Sequence, residues 1–309
     1  MQGKWKKLGL IFEPPKDLDW VVSHCQLPVA DHIGGDIFRI YFAARDKRQY
    51  SHIGFIEVDI KDPMRPRKIS KQPVLSPGSV GFFDEHGVYP SSIVTVGSRK
   101  YLYYIGWNQG NRQPLFYASI GLAISEDGGE TFTRYWPSPI MARSQFDPCL
   151  VTSPHVFRDG EIWRMTYVSG VRWQEMPDGV LKSFYHIKYA ESSDGIEWQR
   201  EGKVAIDFST SDESNIARSA VLKEDGKYKM WYSYVKSPHF KYRIGYAESG
   251  DCVNWVRKDQ GSGIDVSPDG FDSEMQAYPC VVSHEGKKYM FYNGNNFGKN
   301  GFGVAVLEE

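Results

Sequence analysis

Three short segments recur in this chain, always in the same order, and they restrict it to a repeat architecture. The most regular is an aromatic, strand-like stretch with a tyrosine near its middle. The tyrosines are Tyr41, Tyr104, Tyr167, Tyr232 and Tyr292, at intervals of 63, 63, 65 and 60 residues. A second marker follows each one: Gly54, Gly121, Lys188, Gly245 and Gly303, each opening a short apolar run. A third precedes each one, an apolar stretch holding Pro28, Pro90, Pro154 or Pro279, with Ser219 in the fourth copy. Turns beginning at Ser125, Ser192 and Ser249, each with an aspartate two residues on, lead into a fourth strand. In these turns the aspartate caps the backbone, so they read as turn chemistry and not as a site.

Four strands repeated about every 60 residues predict an all-β fold, a five-bladed β-propeller. The last copy ends at Glu309 without an outer strand of its own. The stretch Trp5 to Phe12 is predicted to take that place, joining the last blade and removing an exposed edge. No linker or low-complexity segment interrupts the repeats, so residues 1–309 are expected to form one domain.

Lys+Arg number 37 and Asp+Glu 38, a formal charge of -1, which gives no electrostatic basis for a nucleic-acid or anionic-membrane partner. Leu8 to Phe12 is too short for a signal-peptide core or a membrane span. Cys25, Cys149, Cys252 and Cys280 lie far apart with no paired spacing, as in a reduced, cytoplasmic protein without a zinc site. No P-loop, dinucleotide fingerprint, metalloprotease motif or nucleophile elbow is present, and neither a cofactor nor a metal is expected. Oligomeric state is not legible.

With the repeats in place, the chain resembles the five-bladed propeller glycosidases, the group of arabinanases, β-xylosidases and invertases. It is most similar to bacterial glycosidase-like propellers linked with surface-polysaccharide genes. The residues that carry this run from Tyr41 to Asp46, Tyr103 to Asn108, Tyr167 to Gly170 with Trp173, Met230 to Tyr232, and Phe291 to Asn295. The resemblance implies a carbohydrate substrate handled in a central channel, by a glycoside hydrolase first and by a phosphorylase, a transferase or a binding propeller as alternatives. Fold alone does not choose among them.

Glycoside hydrolysis needs one carboxyl group as acid and another as base or nucleophile. Segments just before the inner strands carry Asp84, Glu85, Asp147, Glu213, Asp272 and Glu274, which suggests a ring of carboxylates at the channel mouth. Glu213 is the expected acid, Asp147 and Glu85 the base or nucleophile, and Glu274 either. The first repeat departs from the resembled hydrolases: where an aspartate is expected it offers His24, four residues before its proline, as His86 is in the second. His24, His86, Asp84 and His155 are expected to bind substrate. Arg45 and Arg218, and less centrally Arg143 and Arg172, can hold a carboxylate or phosphate bidentately. Tyr89, Trp107, Trp173 and Tyr278 are the aromatics placed to stack on a sugar face.

Overall fold

The computed structural model describes residues 3–237 and 241–308. Among them, helix is confined to single turns at Asp259–Gly261 and Asn295–Gly298, and the rest of the regular structure is strand. A first strand, β1 (Lys4–Phe12), precedes a series of meanders. The first meander is β2 (Ser23–Gly34), β3 (Ile37–Arg45), β4 (Ser51–Asp59) and β5 (Lys68–Ile69). The second is β6 (Gly87–Val96), β7 (Arg99–Gln109), β8 (Phe116–Ser125) and β9 (Thr133–Arg134). Next come β10 (Leu150–Asp159), β11 (Ile162–Glu175), β12 (Leu181–Ser192) and β13 (Val204–Ile206). β14 (Glu213–Glu224), β15 (Lys227–Lys236), β16 (Tyr242–Ser249) and β17 (Trp255–Arg257) follow. The last group is β18 (Ala277–His284), β19 (Lys287–Asn293) and β20 (Phe302–Glu308), and β1 pairs antiparallel with β20.

Within each group the strands pair antiparallel in chain order. Single parallel bridges, Ser51 to Gly87 and Tyr185 to Asn215, join neighbouring groups. The opening strands β2, β6, β10, β14 and β18 pack each on the next, and β18 packs on β2.

The three sequence markers each have a physical cause. The tyrosine stretches are β3, β7, β11, β15 and β19, whose rings are buried between sheets. The glycine marker lies on the neighbouring strand because an aromatic ring covers it. A Cβ at Gly121 would sit 2.2 Å from the Tyr104 ring, and one at Gly54 2.2 Å from Trp20. The proline marker sits at a break in register between the opening strand and its partner, seen at Pro90/Ser92, Thr152/His155, Ala217/Ala220 and Ala277/Cys280. A bulge leaves a residue out of the ladder, where proline's missing N–H costs nothing. The Ser-x-Asp turns form as expected: Asp251 Oδ1 accepts the amides of Val253 (2.9 Å) and Asn254 (2.7 Å).

The core is divided between the sheets. Tyr41, Phe55, Val88, Leu102 and Tyr104 pack between the first and second groups, and Trp5, Trp231, Tyr246 and Tyr292 between the fourth and last. The four cysteines are unpaired. No helix among the described residues is long and apolar enough to cross a membrane.

Candidate functional site

The bulges on the opening strands aim side chains toward the axis on which these strands converge. The residue before each marker proline or serine is Leu27, Tyr89, Ser153, Arg218 or Tyr278. Leu27, Ser153, Arg218 and Tyr278 hold positive φ, between 46° and 59°. For non-glycine residues this conformation is uncommon, and here it turns the side chain out of the ladder. Leu27, Tyr89, Ser153 and Tyr278 line one pocket of about 490 Å³. Arg218 is fully buried and reaches from β14 to β2 and β6, donating to the carbonyls of Pro28 (3.1 Å) and Pro90 (3.2 Å).

The pocket wall adds Arg45, Arg48, Tyr50, His86, Trp107, Tyr185 and Tyr242, with glutamines Gln26, Gln49, Gln109 and Gln113. Five of the residues singled out in the sequence therefore meet here: Arg45, His86, Tyr89, Trp107 and Tyr278. The His86 ring packs on Tyr50 (5.0 Å) and Trp107 (5.7 Å), and the Trp107 indole donates to Ser51 Oγ at 3.0 Å. The Tyr185 and Tyr242 hydroxyls bond each other across two groups of strands. Trp173 instead joins Phe116 in an adjoining groove lined by Pro114, Met176 and Val180.

His24 stands at the start of β2, its Nδ1 2.8 Å from Ser23 Oγ. Burial, and then the nearby cations of Arg45 and Lys299, push its imidazole down to about 4. His155 is held neutral in the same way: burial and then Arg218 lower it to about 4, and its Nε2 accepts the Val221 amide at 3.2 Å. Burial lowers Arg218 itself to about 10.

The carboxylates are arranged differently from the expected ring: among the described residues, none that lines the pocket is acidic. Four of the inner-loop carboxylates, Asp84, Asp147, Asp272 and Glu213, turn into their own sheets and meet a cation there. Asp84 accepts from the Tyr104 hydroxyl (3.0 Å) and pairs with Arg134 (2.7 Å). Asp147 sits 3.2 Å from the Tyr167 hydroxyl and 2.9 Å from Arg200. Asp272 accepts from Tyr292 (3.0 Å) and pairs with Lys7 of β1 (2.7 Å). In the fourth group Glu213 takes both Arg257 nitrogens, at 2.8 and 2.9 Å, together with the Ser209 amide. Burial alone would push the Glu213 carboxyl up, but Arg257 and Ser209 outweigh it and hold it below the usual range. That environment favours an ionised group, the reverse of what a general acid needs. Glu274 is exposed and bonded to Lys241. In the first group an apolar pair replaces this arrangement, with Trp20 stacked on Phe42.

Glu85 alone among these carboxylates comes within ion-pair distance of a residue of the pocket wall: its Oε1 lies 3.4 Å from His86 Nδ1, a buried atom that makes no hydrogen bond. The Gly81 amide, aided by Asn108, holds Glu85 below the ordinary range. Arg143 and Arg172 lie outside the main pocket, over the rings of Tyr117 and Phe184. One cluster with metal-ligand chemistry, Asp36, His284 and Glu285, lies outside the pocket, and Lys61 already pairs with both of its carboxylates.

Sequence reasoning missed Leu27, Ser153, Tyr185, Tyr242 and Arg48. The first two could have been found as the residues preceding the marker prolines. It also missed the pairing partners of the carboxylates, although the spacing of twenty residues from Asp84 to Tyr104, Asp147 to Tyr167 and Asp272 to Tyr292 is visible in the chain.

No family model matches the chain. In solved structures the same fold recurs. A glycoside hydrolase superposes with a TM-score of 0.78 at 18% identity, covering 100% of this chain and 93% of that one. A structure from work on "the GH130 family of mannoside phosphorylases", which "contains glycoside hydrolases", gives 0.73 at 16%, covering 99% and 94%. An endo-arabinase from Bacteroides thetaiotaomicron gives 0.62 at 13%, covering 94% and 97%. In sequence, "Uncharacterized protein Rv1502" and "Uncharacterized protein MT1551" of two Mycobacterium tuberculosis strains are each 43% identical over 304 residues, 98% of this chain and 99% of theirs. The chain thus has the fold of the glycosidase-like propellers and belongs to one family with these two mycobacterial proteins.

Proposed function

We propose that this protein is a carbohydrate-active enzyme that cleaves a glycosidic bond in the central pocket of a single-domain, five-bladed propeller. Three observations support the ring: the five groups of strands, the packing of β18 on β2, and the pairing of β1 with β20. The observation that carries the function is the pocket itself. It has the volume of a small-ligand site, with an aromatic wall and convergent polar groups, on a fold shared with glycosidases. Tyr89, Trp107 and Tyr278 offer faces on which a sugar ring stacks, and the glutamine amides offer both donors and acceptors for hydroxyl groups.

In this reading His86 is the proton-transfer group. An imidazole can protonate a leaving oxygen near neutral pH. Glu85, whose Oε1 lies 3.4 Å from the His86 Nδ1, is the carboxylate placed to orient the ring. Asp147 and Glu213 hold the blades together. Hydrolysis is the leading reaction. Phosphorolysis is the second reading, favoured by the lack of a pocket-lining carboxylate to activate water, since a phosphate dianion needs no base.

A panel of glycans and aryl glycosides, each incubated with and without inorganic phosphate, tests this. Release of free sugar regardless of phosphate establishes hydrolysis, and sugar phosphate formed only with phosphate establishes phosphorolysis. Carbohydrate binding without product across the panel would leave a binding propeller.

A further inference from the structure

We infer that the pocket contains an oxyanion subsite centred on the Arg45 guanidinium, which takes a carboxylate or phosphate group in the sugar-binding site. The inference rests on the carbohydrate reading above and narrows it to a charged ligand.

Five other half-buried or buried arginines are matched to acids. Arg39, Arg134, Arg164, Arg200 and Arg257 each lie within 3 Å of a carboxylate oxygen, on Glu57, Asp84, Asp159, Asp147 and Glu213 respectively. Arg45 breaks the pattern. It ends β3 in the pocket wall, its Nε is buried with no partner, and no described carboxylate lies within ion-pair distance. Burying part of a cation without a counter-charge is unfavourable unless a ligand supplies one.

The neighbouring acids are already engaged. Asp46, the next residue, accepts from His52 (3.2 Å) and pairs with Arg48 (3.3 Å). Glu85 is held by Gly81 and Asn108.

Positive charge also accumulates around Arg45. Arg218, fully buried, bonds only carbonyl oxygens, so its charge is not neutralised. Tyr278 feels both guanidinium groups, Arg45 and Arg218. His24 feels Arg45 and Lys299. Arg48 and His86 stand on the same wall. A pocket that is rich in donors, free of acidic side chains and backed by a buried cation selects an anion. A guanidinium matches a carboxylate or phosphate with two parallel hydrogen bonds.

Calorimetric titration of the full chain tests the subsite without requiring turnover. The probes are inorganic phosphate, glucuronate, glucose 1-phosphate and glucose. We expect at least one anion to bind saturably and at least about tenfold more tightly than glucose, with binding that weakens as salt is raised. Arg45→Gln should weaken that anion by about 10- to 100-fold and Arg45→Lys by less, with glucose unaffected. Phosphate binding without glucuronate binding assigns the group to free phosphate, and the converse assigns it to the sugar.

The inference is overturned if no anion binds better than glucose, if Arg45→Gln binds the anion as the wild type does, or, should that variant not fold, if wild-type binding is insensitive to salt. Turnover of a neutral glycan together with any of these results leaves the glycosidase reading standing and removes the subsite. Anion binding without turnover does the reverse.

Discussion

At the scale of single residues, the decisive finding is which carboxylates point where. Position in the sequence singled out Asp147, Glu213 and Asp84, because each precedes an opening strand. Side-chain direction could not be read there, because it depends on partners distant in the chain: Tyr104 and Arg134 for Asp84, Tyr167 and Arg200 for Asp147, and Arg257 for Glu213. Asp147→Asn is therefore expected to leave Arg200 with a neutral partner and to lower stability by about 3 kcal/mol. The activity of the molecules that remain folded should stay unchanged, with chemical denaturation and specific activity as the readouts. His155 allows a pH prediction. Its folded-state value of about 4 lies below the ordinary 6.5, so between these pH values the unfolded chain takes up a proton that the folded chain refuses. Stability should be full above pH 6.5 and fall as the pH drops toward 4, with His24 contributing in the same window. A glutamine at position 155 can still accept the Val221 amide and does not titrate. His155→Gln should flatten the decline of melting temperature with pH, and an undiminished slope would assign the effect elsewhere.

At the scale of elements, nearly everything was legible. Strand order and the tyrosine strands follow from the three repeated markers, and the aspartate turns from local turn chemistry. The glycine marker was visible as a regularity, but its cause is a contact between strands: Tyr104 lies over Gly121 as Trp20 lies over Gly54. Gly121→Ala should then cost about 1–3 kcal/mol, because the buried Tyr104 ring has to move. A melting temperature equal to wild type would show that the ring yields freely. The one copy without glycine, Lys188, shows the same position used differently, since its amine reaches the Phe146 carbonyl and lies 3.5 Å from Asp147. The bulges were hidden for another reason. A proline signals an interrupted ladder, but only the register reveals that the residue before it turns toward the axis.

At the scale of the whole molecule, the two ends of the chain meet through β1. Its pairing with β20, the Lys7–Asp272 ion pair and Trp5 against Trp231 tie it to the last sheets. Removing residues 1–12 should expose the β20 edge, leave Asp272 without its lysine, and replace a single cooperative unfolding transition with a broad one at lower temperature. Arg218 ties the opposite side by bonding β14 to β2 and β6, and the pocket forms above convergent strands that no single repeat could supply. For this reason the residues that line the pocket had to be read from the assembled sheets and not from any one repeat. Cleavage of a glycosidic bond in this pocket, with His86 as the proton-transfer group, is tested most directly by comparing wild type, His86→Asn and Asp147→Asn. The substrate is whichever glycan of the panel is turned over, with rates normalised to folded protein. The expected result is a loss of about 100-fold or more for His86→Asn at unchanged melting temperature, and wild-type specific activity for folded Asp147→Asn. A His86→Asn protein that turns over at the wild-type rate, or a fully folded Asp147→Asn protein that is inactive, would contradict it.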